Sequence, residues 1–261
     1  MEQNHISSSF DKELNKLNNN LLKLGNTALD QFEKCINNFG TQNLDEIKTV
    51  INTDKILDDL DDKVQKSGFE IIALRAPQAA DLRRVIVALK IATIFERIGD
   101  YSRNISNRTK LLIDLKYTDL PGVNIGKMGQ KTQTMFEDVL DAYINEDDNL
   151  AVKIRNSDIK IDKMHTEYYL EIISHMQRKK NFAPTGTHLL FIAKNIERVA
   201  DYVTDVAEQI YFLVNGHVLS DHRPKADKTS LKIPNWRILF FNGNKYINCW
   251  WWAKSIRVNA F

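Results

Sequence analysis

Apolar residues recur every three or four positions through residues 1–216, with little of the alternation that is typical of strands. This spacing predicts six long helices, at about 8–38, 44–73, 78–112, 128–145, 150–179 and 185–214. Pro77 and Pro184 each precede a long apolar run, and proline is tolerated in the first turn of a helix. Pro121 lies in a stretch of weak periodicity with two glycines, which indicates a linker. The predicted fold class is therefore all-α.

Part of this pattern occurs twice. Residues 89–104 (LKIATIFERIGDYSRN) align without a gap with residues 190–205 (LFIAKNIERVADYVTD), and seven positions are identical. Two upstream pairs of aspartates also correspond: Asp54 with Asp158 and Asp58 with Asp162. We therefore predict a tandem repeat of two three-helix bundles, with about 100 residues in each copy.

Each copy carries polar side chains four residues apart on its third helix. These candidate metal ligands are Glu96, Asp100 and the weaker Asn104 in the first copy, and Glu197, Asp201 and Asp205 in the second. The spacing stacks them on one helix face, away from the main apolar stripe, so we expect an outer or lateral face of the bundle. Like charges at this spacing repel unless a cation offsets them, and hard metal ions take oxygen ligands. Asp58 and Asp162 share a repeat position and are weaker candidate ligands.

Two other interpretations of these acids stay open. Arg97, Arg103 and Arg198 can pair with them in ordinary surface salt bridges. A metal-dependent hydrolase or oxidase could also use the carboxylates, but two-metal catalysis needs an enclosed site. No nucleotide-binding, nucleophile-elbow or HExxH motif is present, so we predict a protein that is not an enzyme and has no catalytic residue. We interpret three histidines without metal-binding spacing as structural or surface residues: His165, His175 and His188.

Charge and composition narrow the class of protein further. The 261 residues include 36 Lys+Arg and 34 Asp+Glu, and the resulting net charge of +2 argues against nucleic-acid binding through phosphate neutralisation. Cys35 and Cys249 cannot form a disulfide framework, which favours a reducing compartment. The N-terminus is polar, and no apolar run approaches the ~20 residues of a membrane span. We therefore expect a cytoplasmic protein.

The C-terminal residues 231–261 differ from the rest. They contain all four tryptophans and five basic residues but no acid, which leaves a net charge of −3 on the remaining chain. The Asn242-Gly243 pair predicts a short hairpin. The three consecutive tryptophans would suit docking at a membrane surface or on a partner protein, but we favour a read-through or out-of-frame extension without a selected function. The predicted organisation is a first repeat (1–115), a linker (116–127), a second repeat (128–216), a polar linker (217–230) and this aromatic tail (231–261).

Residues 75–83 (RAPQAADLR) and 95–100 (FERIGD) resemble the first repeat of the PhoU family of phosphate-signalling regulators. Residues 190–201 (LFIAKNIERVAD) resemble its second repeat, and the resemblance covers about residues 5–224. It implies two three-helix bundles with multinuclear metal sites at the repeated ExxxD motifs, where iron, zinc, manganese or magnesium is expected. Those motifs are here Glu96/Asp100 and Glu197/Asp201.

The resemblance also implies partners. Family members act with the phosphate ABC transporter and with a sensor histidine kinase. For this chain we expect the contact with the transporter to be made through its ATPase. They restrain phosphate uptake and the phosphate-starvation response when phosphate is ample, and they often form homodimers. We therefore expect a negative modulator that reaches the membrane only through its partners. The chain departs from the family where Ala200 takes the place of Gly99 in the second copy, and where Asn104 offers a weaker ligand than Asp205.

Overall fold

Six long α-helices form the described part of the chain. The computed structural model describes residues 2–115, 124–220 and 223–229. The helices are α1 (Glu2–Thr41), α2 (Leu44–Arg75), α3 (Ala79–Asp114), α4 (Ile125–Asn145), α5 (Asp148–Arg178) and α6 (Ala183–Asn215), and a 3₁₀ turn, Lys180–Phe182, precedes α6. No strand occurs in these three ranges, and the predicted all-α fold with six helices is confirmed.

Local capping explains where several helices begin and end. The side-chain oxygen of Asn43 accepts a hydrogen bond from the N–H of Asp45 at 3.1 Å, at the start of α2. The side chain of Asn124 accepts from the N–H of Lys127 at 2.8 Å, so α4 begins three residues earlier than the periodicity predicts. Gly216 ends α6 in the left-handed conformation, with φ of 75°, which glycine adopts without strain.

Each repeat buries the apolar faces of its three helices. The first repeat comprises α1 to α3 and the second comprises α4 to α6. Burial of apolar area at roughly 25 cal/mol per Å² is the main force that holds such bundles together. Representative side chains with almost no exposed surface are Phe32, Leu57 and Ile91 in the first repeat, and Phe136, Ile161 and Ile196 in the second.

The two repeats pack against each other through α3 with α6 and through α1 with α4. Phe95 of α3 stacks on Phe136 of α4, with ring centroids 5.5 Å apart. Tyr101 of α3 faces Tyr202 of α6 at 5.7 Å. Because α3 and α6 carry the two ExxxD motifs, this contact fixes the position of one motif relative to the other.

The compact unit that contains the helices extends to Lys228. Residues 223–228 therefore pack on the bundle, which differs from the polar linker predicted at 217–230. No helix in the described ranges is both long and apolar enough to cross a membrane. Residues 116–123 of the predicted first linker, and the predicted hairpin within residues 231–261, lie outside the described residues.

Candidate functional site

A first acidic cluster lies where α2 packs on α3. It consists of Asp54, Asp58 and Asp61 from α2 and Glu96 and Asp100 from α3. Glu96 and Asp100 are half-buried, and Asn104, one turn later on α3, is exposed. The predicted ligands Asp58 and Asp100 therefore lie near enough to Glu96 for their charges to act on it, and Asn104 lies farther toward solvent.

One arginine bridges two acids of the first cluster. Arg103 donates a hydrogen bond to Asp100 at 2.6 Å and another to Asp54. Burial nevertheless raises the pKa of Asp54, and the charge of Arg103 only partly opposes this effect. Arg103 thus forms one of the salt bridges that the sequence left open, whereas Arg97 donates to the hydroxyl of Tyr202 at 3.4 Å.

Repulsion among the remaining carboxylates is not offset in the same way. Burial raises the pKa of Glu96, and the charges of Asp100, Asp58 and Asp61 raise it further. Burial also raises the pKa of Asp61, although its carboxylate accepts a hydrogen bond from Gln65 at 3.0 Å. The first cluster therefore holds an excess of negative charge, and an added cation would relieve it.

A second acidic cluster occupies the corresponding position where α5 packs on α6. Its members are Asp158, Asp162 and His165 from α5 and Glu197, Asp201 and Asp205 from α6. Asp158 and Asp162 have no exposed surface, and Glu197 is only 3 % exposed. Of the outer or lateral face that the spacing predicts, the outer one does not hold for Glu197, which lies on the side of α6 that faces His165 of α5. Among the described residues, Oδ1 of Asp158 and Oδ1 of Asp162 accept no hydrogen bond.

Basic residues from beyond α6 contact this second cluster. The Nη2 of Arg223 donates to Asp158 and to Asp201, each at 2.8 Å. Its Nη1 donates to Asp205 at 3.1 Å, and the ammonium group of Lys225 forms an ion pair with Asp201. Charge-assisted hydrogen bonds of this kind are about twice as strong as neutral ones. The second cluster is therefore partly neutralised by the chain itself.

Backbone amides also hold the segment 223–228 on the second cluster. The N–H of Ala226 donates to Oδ2 of Asp162 at 2.6 Å. The N–H of Lys228 donates to the hydroxyl of Thr166 at 3.1 Å. These bonds fix the course of the segment in addition to the position of its side chains.

A histidine and two carboxylates lie together at this site. The ligating atoms of His165, Glu197 and Asp227 all lie within 4.8 Å of one another. The Nζ of Lys194 is 2.6 Å from Glu197 and 3.5 Å from Asp227, so an ammonium group already bridges the two carboxylates. Burial raises the pKa of Glu197 in spite of the hydrogen bond from Lys194, and burial lowers the pKa of His165.

Two features of this site were missed by the sequence analysis. His165 does join the acids of the second cluster. The repeat could have shown this, because His165 follows Asp162 by three residues, just as Asp61 follows the matched Asp58. Arg223 lies in the predicted polar linker, and no spacing or repeat marks it as a partner of the acids. The four-residue spacing was enough to predict which acids share a helix face. Only the folded chain shows which basic residues neutralise them.

Comparison with known proteins gives a consistent result. The family model described as PhoU domain matches residues 21–109 and 125–210. The chain is 34% identical over 226 residues to the phosphate-specific transport system accessory protein PhoU homolog of Caulobacter vibrioides (strain NA1000 / CB15N), which covers 87% of this chain and 98% of the relative. It is 30% identical to the phosphate-specific transport system accessory protein PhoU of Escherichia coli (strain K12), over 85% of this chain and 93% of that protein.

A solved structure agrees with these sequence matches. The crystal structure of the phosphate transport system regulatory protein PhoU from Streptococcus pneumoniae matches with a TM-score of 0.74 and 28% identity. The match covers 81% of this chain and 100% of that chain. The helical repeats therefore share both sequence and architecture with these proteins.

Proposed function

The chain belongs to the PhoU family, and we propose that it is a negative modulator of phosphate-specific transport and of the phosphate-starvation response. It acts in the cytoplasm, through protein–protein contact with the ATPase of the phosphate ABC transporter and with a sensor histidine kinase. The observation that carries the proposal is the family match over both helical repeats. The relatives' names, as accessory proteins of the phosphate-specific transport system, support the link to the transporter.

The surroundings of the acids support a binding role rather than catalysis. A two-metal hydrolase needs carboxylates that are free to hold metal ions in an enclosed site. In the second cluster, Lys194, Arg223 and Lys225 already pair with these carboxylates. In the first cluster, Glu96 and Asp100 are only half-buried, so this acidic face is accessible to a partner. An accessible helix face is a common way for helical proteins to meet a partner.

We also propose a divalent cation at the first cluster, held by Asp58, Asp61, Glu96 and Asp100. The donors are all carboxylate oxygens, which suit a hard cation, and their mutual repulsion gives the cation a favourable site. Of iron, zinc, manganese and magnesium, this all-oxygen donor set favours manganese or magnesium. The cation would neutralise the face and so alter what the face can bind.

A pull-down with purified transporter ATPase and with the cytoplasmic part of the sensor kinase tests the regulatory proposal. We expect the full-length protein to bind the ATPase, the kinase or both. The variant Glu96→Gln/Asp100→Asn should bind that partner in a different amount. The matched control, Glu33→Gln/Glu70→Gln, removes two exposed acids elsewhere and should bind like the wild type. Failure to bind either partner at both high and low phosphate would overturn the proposal.

A homodimer is part of the same proposal, since members of the family often dimerise. Multi-angle light scattering on the purified protein should give about twice the chain mass of 30.2 kDa. A mass of one chain at micromolar concentration would contradict it, without affecting the proposal about the transporter.

A further inference from the structure

The two acidic clusters receive their arginine from different parts of the chain. In the first cluster, Arg103 of α3 bridges Asp54 and Asp100. The repeat position of Arg103 on α6 is Thr204, which is fully buried. Its hydroxyl donates to the carbonyl of Ala200 at 3.0 Å, within its own helix. The second repeat therefore cannot form the same bridge from its own α6.

Arg223 supplies the missing guanidinium group. It bridges Asp158 and Asp201, which are the repeat counterparts of Asp54 and Asp100, at 2.8 Å to each. Its side chain is only 15 % exposed, and it therefore lies largely buried against these acids. The same pair of carboxylates is thus bridged in both repeats, once from within the repeat and once from beyond α6. A chance contact of a polar linker would not be expected to reproduce this pairing.

The segment also carries further groups that match the second cluster. Backbone amides at Ala226 and Lys228 donate to side chains of α5. The segment places the cations of Arg223 and Lys225 against the cluster, where Lys194 of α6 adds a third. Its own acid, Asp227, pairs with Lys194. The three cationic groups face the five carboxylates that α5 and α6 contribute to the second cluster, namely those of Asp158, Asp162, Glu197, Asp201 and Asp205.

We propose that residues 223–228 form an intramolecular strap that closes the second acidic cluster and competes with a divalent cation for Asp158, Asp201 and Asp205. A carboxylate oxygen that accepts from Arg223 has fewer lone pairs left for a metal ion. A cation can reach Asp158, Asp201 and Asp205 only when Arg223 and Lys225 are displaced, whereas the first cluster stays accessible. The two ExxxD motifs, which share both acids, are thus unequal in affinity. The statement about cations rests on the metal binding proposed above, but the closed strap rests on its contacts alone.

Manganese binding to the full-length protein tests the competition. Equilibrium dialysis with Mn²⁺ should show tight binding to the wild type at the first cluster, which Glu96→Gln/Asp100→Asn removes, and weaker binding at the second cluster. The strap variant Arg223→Gln/Lys225→Gln should bind additional Mn²⁺, with affinity at the second cluster about tenfold higher than in the wild type. Lys228→Gln is the matched control, because it removes a charge from an exposed side chain of the same segment. If the strap variant binds no more Mn²⁺ than Lys228→Gln, the competition is refuted.

Hydrogen exchange tests the strap without metal. In wild-type protein with EDTA, the amides of Ala226 and Lys228, which donate to side chains of α5, should exchange at least tenfold more slowly than in Arg223→Gln/Lys225→Gln. Saturating Mn²⁺ should speed their exchange in the wild type. Equal exchange in wild type and variant would overturn the strap. A protected strap, together with Mn²⁺ binding that Glu96→Gln/Asp100→Asn leaves unchanged, would instead overturn metal binding at the first cluster. The wild-type measurement needs no substitution, and a circular dichroism melt shows whether each variant is folded.

Discussion

Replacing Glu96 by glutamine should stabilise the protein when no metal ion is present. Glu96 is half-buried and faces the negative charges of Asp100, Asp58 and Asp61, which together with burial raise its pKa. Glutamine has nearly the same shape but carries no charge, so the substitution removes the repulsion and leaves the packing intact. Most substitutions destabilise a protein, and a gain in stability is therefore a specific signature of the acidic cluster.

The magnitude follows from the number and position of the like charges. Glu96 lies one turn before Asp100, and a like-charged pair at this spacing costs about 0.2–0.5 kcal/mol. Asp58 and Asp61 lie across the contact between α2 and α3, where solvent and salt screen them, and we assign them a cost of the same order. The expected gain is about 0.5–1 kcal/mol. For a domain of this size it corresponds to a rise in Tm of about 1–4 °C.

Thermal unfolding in EDTA at pH 7, followed by circular dichroism, measures this gain. The control is Glu33→Gln, which removes an exposed acid from α1 and should leave Tm unchanged. Saturating Mn²⁺ should reverse the order, since a ligand at 100 times its Kd stabilises its binding site by about 2.7 kcal/mol, and the variant lacks one carboxylate ligand. A Tm for Glu96→Gln that is equal to or below that of the wild type in EDTA would refute the reasoning.

The same argument predicts how the difference depends on pH. Because the pKa of Glu96 is raised above its ordinary value of 4.5, the folded protein binds more protons than the unfolded chain between the two pKa values. Wild-type stability therefore falls as the pH rises through this window, and the full cost is present above the folded pKa. The advantage of Glu96→Gln should be greatest near pH 7 and should disappear as the pH approaches 4.5.

Further predictions concern the packing and the cysteine. Phe136→Ala should lower the free energy of unfolding in urea by about 3–5 kcal/mol, because it removes a fully buried ring that stacks on Phe95; a loss below about 1 kcal/mol would contradict this packing. Arg155→Ala should cost about 1–3 kcal/mol in the same assay, because its buried guanidinium donates to a carboxylate of α6 at 2.9 Å; an unchanged value would count against that bond. In a Cys249→Ser background, Cys35 should resist a thiol reagent until urea is added, because burial raises its pKa to about 12; rapid reaction of native protein would disprove this.

Most of the fold could be predicted from the sequence. Spacings of three and four residues predict helices because such residues share one face, and the repeated block implies two similar bundles. The ends of helices were less predictable. A cap such as Asn124 depends on one side chain, so α4 starts at Ile125, and the 3₁₀ turn before α6 gave no periodic signal.

The candidate site could be predicted only in part. Four-residue spacing was enough to stack Glu96 on Asp100 and Glu197 on Asp201, because helix geometry is local. It could not tell that Glu197 is buried, since burial depends on how α5 docks against α6. Nor could it separate the acids that are neutralised from those that are not.

By itself, then, the sequence determined the helices, their duplication and the register of the acids, all of which follow from residues within a few turns of one another. Only the tertiary structure decided how the clusters differ. Arg103 reaches Asp54 across 49 residues of chain and Arg223 reaches Asp158 across 65. Ion pairs over such separations form only after helices have docked, because hydrophobic packing of whole helix faces sets where two distant side chains meet.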